Sequence, residues 1–262
     1  MMTTDITTIG MIVGLMLMAV PLYAFHRLGA KMITSTMTAT VRMVVQLFLI
    51  GLYLRYLFEY NSSLVNILWV GVMVIVAAFT AAHRTGIKRQ LIVMPLCVGL
   101  MASAMAVGMY FLVLVLRLAH PFDARYFVPI MGILMGNMLG VNVMALNTYY
   151  DSMHREQSLY YYLLGNGATH FEAVRPFVSR AIEKAFAPCV ANMAVMGIVS
   201  LPGTMIGQLL GGSLPGIAIK YQIMIIVITF TASMLSLVIT LIIADRRSFD
   251  SFGRIIDVMR RK

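Results

Sequence analysis

The sequence has few charged residues, and acidic residues are the scarcest among them. Of its 262 residues only 11% are charged, and only 10 are Asp or Glu. A water-soluble domain needs a polar, charged surface, whereas 60% of these residues are hydrophobic. The composition therefore excludes a soluble protein and indicates a polytopic integral membrane protein.

Two further absences restrict the classes of function that the chain can have. No Asp or Glu lies within any predicted apolar span, although proton- or sodium-driven carriers commonly place a carboxylate there. The phosphate-cradling pattern Gly-x-x-x-x-Gly-Lys-Ser/Thr is also missing, as are the patterns of zinc proteases and of serine hydrolases. We therefore expect no enzymatic activity and no cofactor bound by this chain, and the energy for any transport has to come from elsewhere.

Candidate metal ligands are few. Cys97 and Cys189 lie in apolar runs and form no disulfide framework, and the five histidines are not in mutual ligand spacing. Among 24 methionines, Met101, Met105 and Met109 share one helical face. Thioethers suit soft metals such as copper(I), but methionine is also an adaptable apolar filler, and the filler interpretation is favoured. The metal ligands remain unknown from sequence.

Several apolar runs are long enough to cross a bilayer about 30 Å thick. Seven spans are predicted, at residues 6–25, 41–58, 64–82, 91–116, 127–146, 188–210 and 219–244. The predicted fold is all-α, with residues 1–262 forming a single transmembrane domain. The threonine-rich segment 34–40 is expected to lead into the second span on the cytosolic side.

The distribution of Lys and Arg predicts the orientation. Fifteen basic residues flank the spans on one side and four on the other. Because basic loops stay in the cytosol, the N-terminus is predicted outside and the C-terminus inside the cell membrane. The net charge of +10 is thus explained by topology, and no nucleic-acid partner is expected.

The apolar run at residues 196–212 is interrupted by Pro202 and Gly203, with Met205 and Gln208 close behind. Proline removes an amide donor, so a helix here has to bend or part, and lipid cannot satisfy the freed carbonyl groups. Broken helices often line the substrate path of transporters. The four residues are therefore candidates for that path, and the alternative is a proline kink that only shapes packing.

Other polar residues within spans are candidates for the same path. Asn137, Asn142 and Asn192 carry amides that need partners in lipid, either on neighbouring helices or in a pathway. Arg42 and Gln46 lie one turn apart on the second span. Arg42 either faces the path or extends to the inner headgroups.

The fifth span carries glycines at a spacing of four residues. Gly132, Gly136 and Gly140 fall on one helical face, where a neighbouring backbone can approach closely. We predict a role in helix packing.

The polar interval 147–186 separates the fifth and sixth spans and is predicted to form amphipathic cytosolic helices. It contains the aromatic run SLYYYLL at 158–164, followed by Gly165 and Gly167 as a helix stop. Thr169 and Glu172 have the spacing of a capping box. Such helices bury their apolar side chains either in the membrane surface or against a partner protein.

Four segments together resemble the FetB-like permeases of ABC transporters, the group that contains bacterial iron-export permeases and plant aluminium-tolerance relatives. The segments are VRMVVQLFLIG (41–51), VPIMGILMGN (128–137), GAT (167–169) and VSLPGTMIGQLLGG (199–212), the last followed by Pro215 and by Tyr221 and Gln222. The resemblance covers most of the chain.

The resemblance implies a permease subunit that works with a separate cytosolic ATPase, which uses the ATP, as two copies of each. It implies that the region 158–169 is the coupling helix that docks on the ATPase. The coupling candidates are Leu159, Tyr162, Leu163, Gly165, Gly167, Ala168 and Thr169. Iron is the implied cargo. The alternatives are another solute, copper or a nucleotide sugar included, or a seven-helix receptor, which would have no ATPase partner.

Overall fold

The computed structural model of the chain describes residues 7–250, 253–256 and 258. In this part the chain is helical and has no β-structure beyond isolated bridges, which confirms the all-α class. The helices are α1 (Thr8–Met16), α2 (Ala19–Arg27), α3 (Ile33–Tyr60), α4 (Ser63–Thr85), α5 (Arg89–Met109) continued by a π-helix (Tyr110–Val115), α6 (Ala124–Arg155), α7 (Gln157–Gly165), α8 (His170–Val195), α9 (Gly203–Leu210) and α10 (Pro215–Ser248). Residue 6 of the first predicted span and the basic residues 260–262 lie outside the described residues.

Six helical stretches of the described chain are long and apolar enough to cross a membrane. They are Thr8–Arg27, Ile33–Tyr60, Ser63–Thr85, Arg89–Val115, Ala124–Arg155 and Pro215–Ser248. Each corresponds to a predicted span. The remaining predicted span, 188–210, is not one continuous helix, because α8 and α9 are separate.

The start of α3 differs from the prediction. The threonine-rich segment 34–40 belongs to the helix itself, which begins at Ile33. The hydroxyl of Thr38 donates to the carbonyl oxygen of Thr34 at 2.8 Å. Threonine hydroxyls that bond back to the preceding turn satisfy their own polarity inside a helix, so this polar run does not have to form a loop.

The interval 147–186 contains longer helices than its polarity suggests. α6 continues to Arg155, because Tyr149, Tyr150 and Met153 are buried against the rest of the chain. α8 then runs without a break from His170 through Pro188 to Val195. The predicted cytosolic helix and the start of the predicted sixth span are therefore one helix.

The core is formed by α4, α5, α6 and α10, with α8 packed on α6. α5 and α10 approach closely at Gly99, where a Cβ atom would collide with Thr240 Oγ1 and lie 2.8 Å from the carbonyl oxygen of Ser236. α1 and α2 have no buried residue and α3 has one, Leu57. The first three helices therefore lie at the periphery of the described chain.

Candidate functional site

The break predicted around Pro202 and Gly203 is present, but it begins earlier. α8 ends at Val195, and Gly197 then adopts a φ of +86°, a left-handed conformation that favours glycine. The amide of Gly197 donates to the carbonyl oxygen of Ser200 at 2.9 Å. Pro202 is the N-cap of α9, where its missing N–H costs nothing because the first amides of a helix have no intrahelical acceptor. Pro202 and Gly203 therefore begin a helix and do not kink one.

A cavity of about 160 Å³ lies beside the end of α8, between α6, α8 and α10. We call it the central cavity; it is lined by Asn137, Phe186, Cys189, Asn192, Met193, Met196, Ile226, Thr229, Phe230 and Ser233. Two of the predicted pathway residues, Asn137 and Asn192, thus meet from different helices. Asn137 donates its amide to the carbonyl oxygen of Ile133 at 2.9 Å. The cavity therefore presents amide and hydroxyl groups within an otherwise apolar wall.

A second opening of about 420 Å³ follows along the same two helices, towards the start of α6 and of α10. We call it the outer cleft; it is lined by Arg125, Tyr126, Pro129, Ile130, Ile133, Thr204, Gly207, Gln208, Tyr221 and Ile225. Gln208 has a buried Oε1 atom without a hydrogen-bond partner, and Thr204 donates to Gln222 Oε1 at 2.5 Å. Met205 is half-buried on α9 and lines neither opening. The predicted pathway residue Gln208 thus lines the outer cleft, whereas Asn137 and Asn192 line the central cavity.

The central cavity and the outer cleft are successive parts of one groove between α6 and α10. Ile133 of the cleft is one helical turn from Asn137 of the cavity, and Ile225 of the cleft adjoins Ile226 of the cavity. On the other side of the central cavity the two helices are bonded together. Asn142 is fully buried there and donates to Ser236 Oγ at 3.0 Å. Of the two roles considered for Asn142, the structure therefore favours the interhelical hydrogen bond.

Arg42 and Gln46 lie elsewhere. They line a cleft of about 680 Å³ between α3 and α4, together with His83 and Arg84 at the basic end of α4. None of the residues lining this cleft lines the groove between α6 and α10. The structure therefore does not bring Arg42 and Gln46 together with the asparagines, because the two sets lie on different helix pairs, and a pathway role for Arg42 and Gln46 stays a prediction.

The glycines of α6 do not pack closely against a helix of the same chain. A Cβ atom at Gly132 would lie 3.5 Å from the end of Met73, and at Gly136 or Gly140 it would meet nothing within 4 Å. Close helix packing within the described chain uses Gly99 and Gly108 instead, where a Cβ atom would meet α10 and the side chain of Met131. The predicted packing role of Gly136 and Gly140 is thus not realised within one chain.

The predicted coupling segment forms α7 and the start of α8. Gly165 ends α7, and Gly167 has a φ of +89°. Thr169 caps α8 in a complete capping box with Glu172, as predicted. Backbone and side-chain hydrogen bonds from Thr169 hold the pKa of Glu172 below its usual value. The helix stop and the cap set the angle between α7 and α8.

The side chains of this segment divide into two sets. Leu159 and Leu163 are partly buried against the chain's own core, and Ala168 is half-buried. Tyr162 is 67% exposed, and Phe171 at the start of α8 is 75% exposed. The exposed apolar side chains of α7 and of the start of α8 are therefore aromatic, and the two leucines pack inward.

A hydrogen-bond network ties α7 to the helices that form the groove. Asp245 of α10 accepts from the hydroxyl of Tyr149 on α6 at 2.8 Å and pairs through its other oxygen with Nε2 of His170 at 2.7 Å. Nδ1 of the same histidine shares a hydrogen bond of 2.9 Å with the hydroxyl of Tyr160 on α7. We call these four residues the Asp245 network. It connects α6, α7, α8 and α10 at one end of the groove.

The surroundings of Tyr160 in the Asp245 network favour the neutral, protonated form of its hydroxyl. Tyr160 is 1% exposed, and it also donates to the carbonyl oxygen of Gly253 at 3.1 Å. Burial, helped by the nearby charge of Asp245, raises the pKa of Tyr160 to about 12. The ring of Phe249 packs against both Tyr160 and His170. Sequence reasoning missed this network, because Asp245 and His170 are 75 residues apart and carry no local pattern.

No solved structure matches the chain. Among its relatives, the "Probable iron export permease protein FetB" of Escherichia coli (strain K12) is 26% identical over 258 residues, which cover 98% of each chain. "Protein ALUMINUM SENSITIVE 3" of Arabidopsis thaliana is 32% identical over 185 residues, 70% of this chain and 66% of the relative. "UPF0014 membrane protein STAR2" of Oryza sativa subsp. japonica is 30% identical over 224 residues, 85% of this chain and 76% of the relative. The model of the family described as "Uncharacterised protein family (UPF0014)" matches residues 6–249, so the chain belongs to the UPF0014 family.

Proposed function

We propose that the chain is the membrane-spanning permease subunit of an ABC transporter that exports metal ions, with iron as cargo, and that a separate ATPase subunit supplies the energy. Support comes from a relative named as a probable iron export permease that aligns over 98% of both chains. The lack of a phosphate-binding loop and of carboxylates in the predicted spans fits a subunit that is driven from outside.

The groove between α6 and α10 supports a transport role. In the predicted orientation its outer cleft faces the extracellular side, and the central cavity lies deeper in the membrane. The break between α8 and α9 borders the central cavity at Met196. Non-helical backbone at membrane depth is tolerated where it lines a cavity, and transporters commonly place binding sites at such breaks.

The observation that carries the proposal is the attachment of α7 to the groove. α7 is a short helix outside the candidate spans, and the Asp245 network bonds it to both helices of the groove. A partner that pulls on α7 would therefore act on the end of the groove where α6 and α10 are bonded together. The exposed rings of Tyr162 and Phe171 offer that partner an apolar contact.

The test is to disrupt that contact without touching the groove. Tyr162→Asp combined with Phe171→Asp should abolish co-purification with the proposed ATPase subunit and raise cellular iron under iron load. Tyr60→Asp is the matched control, because Tyr60 is 80% exposed at the far end of α3 and should leave both readouts unchanged. ATPase binding that survives the double substitution would rule out docking on α7, and cellular iron that stays unchanged although ATPase binding is lost would rule out iron as cargo.

We further propose a multi-pass protein of the cell membrane, a single domain over residues 1–262, and assembly as two permease and two ATPase subunits. The open face of α6 at Gly136 and Gly140 supports contact with a second permease copy, since glycines allow close approach of another helix.

A further inference from the structure

The cleft between α3 and α4 carries two arginines and is larger than either opening of the groove. Its volume is about 680 Å³, against about 160 Å³ for the central cavity and about 420 Å³ for the outer cleft. We call it the basic cleft; it is lined by Ala39, Arg42, Met43, Gln46, Leu47, Ile50, Phe79, Thr80, His83 and Arg84. None of these lining residues is acidic, so the cleft combines two guanidinium groups with an apolar wall.

The attachments of α3 to the core lie at the end of the helix that is remote from the basic cleft. Leu57 is its one buried residue, and the ring of Tyr53 packs against that of Trp69 with the ring centroids 4.1 Å apart. Asn61, the C-cap of α3, donates to the carboxylate of Asp123 at 3.1 Å. The half of α3 that borders the cleft therefore stands away from α4. Within a bilayer such a gap has to be filled, because an empty space forfeits the dispersion contacts of its walls.

Arg42 and Arg84 lie at about the same level of the membrane. α3 and α4 are joined at Asn61 and Ser62, and along the helices Arg42 is about 28 Å and Arg84 about 33 Å from this turn, at about 1.5 Å per residue. Because the hydrocarbon core is about 30 Å thick, both guanidinium groups reach the headgroups of one leaflet, the cytosolic one in the predicted orientation. Neither arginine forms an ion pair with a described residue.

We propose that the basic cleft binds one anionic phospholipid, with Arg42 and Arg84 at its phosphate and with its acyl chains along the apolar wall between α3 and α4. The inference goes beyond the proposed function, since it depends neither on the cargo nor on an ATPase. It assigns Arg42 to the inner headgroups, the second of the two roles considered for it.

Charge and apolarity together select this occupant. Guanidinium groups bind phosphate oxygens with charge-assisted hydrogen bonds, and basic pockets between spans on the cytosolic side bind anionic headgroups. A free phosphate ion would neutralise the arginines but leave the exposed side chains of Leu47, Ile50 and Phe79 uncovered. A metal cation would be repelled by both arginines. A lipid satisfies the charged end and the apolar wall at once.

The binding test uses the purified full chain in detergent, and native mass spectrometry counts the phospholipid that it retains. Phosphatidylglycerol should bind as one molecule per chain and in preference to phosphatidylcholine, which has no net charge. An arginine beside an anionic headgroup is worth about fivefold in binding, so Arg42→Gln combined with Arg84→Gln should weaken the binding of phosphatidylglycerol about thirtyfold.

The matched control removes the same charge elsewhere on the same side. Arg27 at the end of α2 and Arg89 at the start of α5 are exposed and do not line the basic cleft. Arg27→Gln combined with Arg89→Gln should therefore retain phosphatidylglycerol as the unmodified protein does. Equal retention by the two double variants would overturn the site.

Thermal unfolding gives a second measurement. Phosphatidylglycerol should raise the melting temperature of the unmodified protein and of the control variant, because a ligand that binds the folded state stabilises it, and it should not raise that of the Arg42 and Arg84 variant. The melting temperature of each variant without lipid shows that it is folded. An equal rise in all three proteins would count against the site.

Two further outcomes would assign the basic cleft to another occupant and so overturn the proposal. Displacement of phosphatidylglycerol by glycerol 3-phosphate would show that the anion alone is recognised. A lipid-free pair of chains that dissociates on Arg42→Gln combined with Arg84→Gln would show that a second copy of the chain fills the cleft.

Discussion

Replacing Asp245 with alanine tests the connection between α7 and the groove. The substitution removes the acceptor of the Tyr149 hydroxyl, which is 2.8 Å away on a side chain only 1% exposed. A buried hydroxyl left without a partner costs about 1–3 kcal/mol. His170 also loses its partner, but its side chain is 41% exposed, so water replaces the bond and little stability is lost. We expect Asp245→Ala to lower the free energy of unfolding by about 1–3 kcal/mol, mainly through Tyr149.

A double-mutant cycle isolates that bond. Tyr149→Phe removes the donor, so adding it to Asp245→Ala should cost less than the sum of the two single changes, by about 0.5–3 kcal/mol. Asp151→Ala is the matched control, because Asp151 pairs with Arg155 at the surface with 51% of its side chain exposed, and such pairs are worth about 0–1 kcal/mol. The free energies are measured by denaturant unfolding of the purified protein in detergent.

The same variants separate stability from coupling. In a complex with the proposed ATPase subunit, Asp245→Ala should lower the metal moved per ATP hydrolysed, because α7 then loses its link through His170 to α10, whereas Asp151→Ala should leave the ratio unchanged. Additive effects of Asp245→Ala and Tyr149→Phe, or equal stability of the Asp245 and Asp151 variants, would show that the network contributes nothing and would remove the structural basis for coupling through α7.

Two further outcomes are expected. Gly99→Ala should destabilise the protein by about 1–3 kcal/mol, because its Cβ would collide with Thr240. Gly136→Ala should be neutral or mildly stabilising in thermal unfolding, because a Cβ there meets nothing within 4 Å. Equal melting temperatures of the two variants would contradict the packing of α5 on α10. Glu172→Gln should lower stability at neutral pH. The pKa of Glu172 is held low by Thr169, so its contribution is present above the ordinary Glu pKa and is lost as the pH falls through the lowered value. A difference in unfolding free energy between the wild type and Glu172→Gln that persists at acidic pH would be inconsistent with this cap.

Local features of the fold could be predicted from sequence. The apolar runs locate six helical stretches, Gly167 ends the α7 region, and Thr169 with Glu172 forms the capping box, because each depends on residues within a few positions of one another. The end of α6 could not be located in this way. The polar run after residue 146 looks like a loop until the aromatic side chains of Tyr149 and Tyr150 find their buried places beside α10.

The candidate site was predictable only in part. The rarity of amides in apolar spans singled out Asn137 and Asn192, which do meet in the central cavity. The same reasoning grouped Arg42 with them, although it lies on another helix pair, since polarity alone carries no information about which helices are neighbours. Met193 escaped notice because no pattern in the sequence separates a methionine that lines a cavity from one that fills a core.

The side-chain hydrogen bonds between α6 and α10 lie at one end of the groove. Asn142 with Ser236, Tyr149 with Asp245, and Tyr150 with Ser248 all join the two helices on the side of the central cavity that leads to α7. Towards the other end the outer cleft lies between residues of the two helices. With the predicted orientation, the described conformation is therefore closed towards the cytosol and open towards the exterior. Under the proposed export role, loading cargo from the cytosol would require these bonds to part. α7 is attached to that same end through His170, so a force applied to α7 would act where the groove is closed.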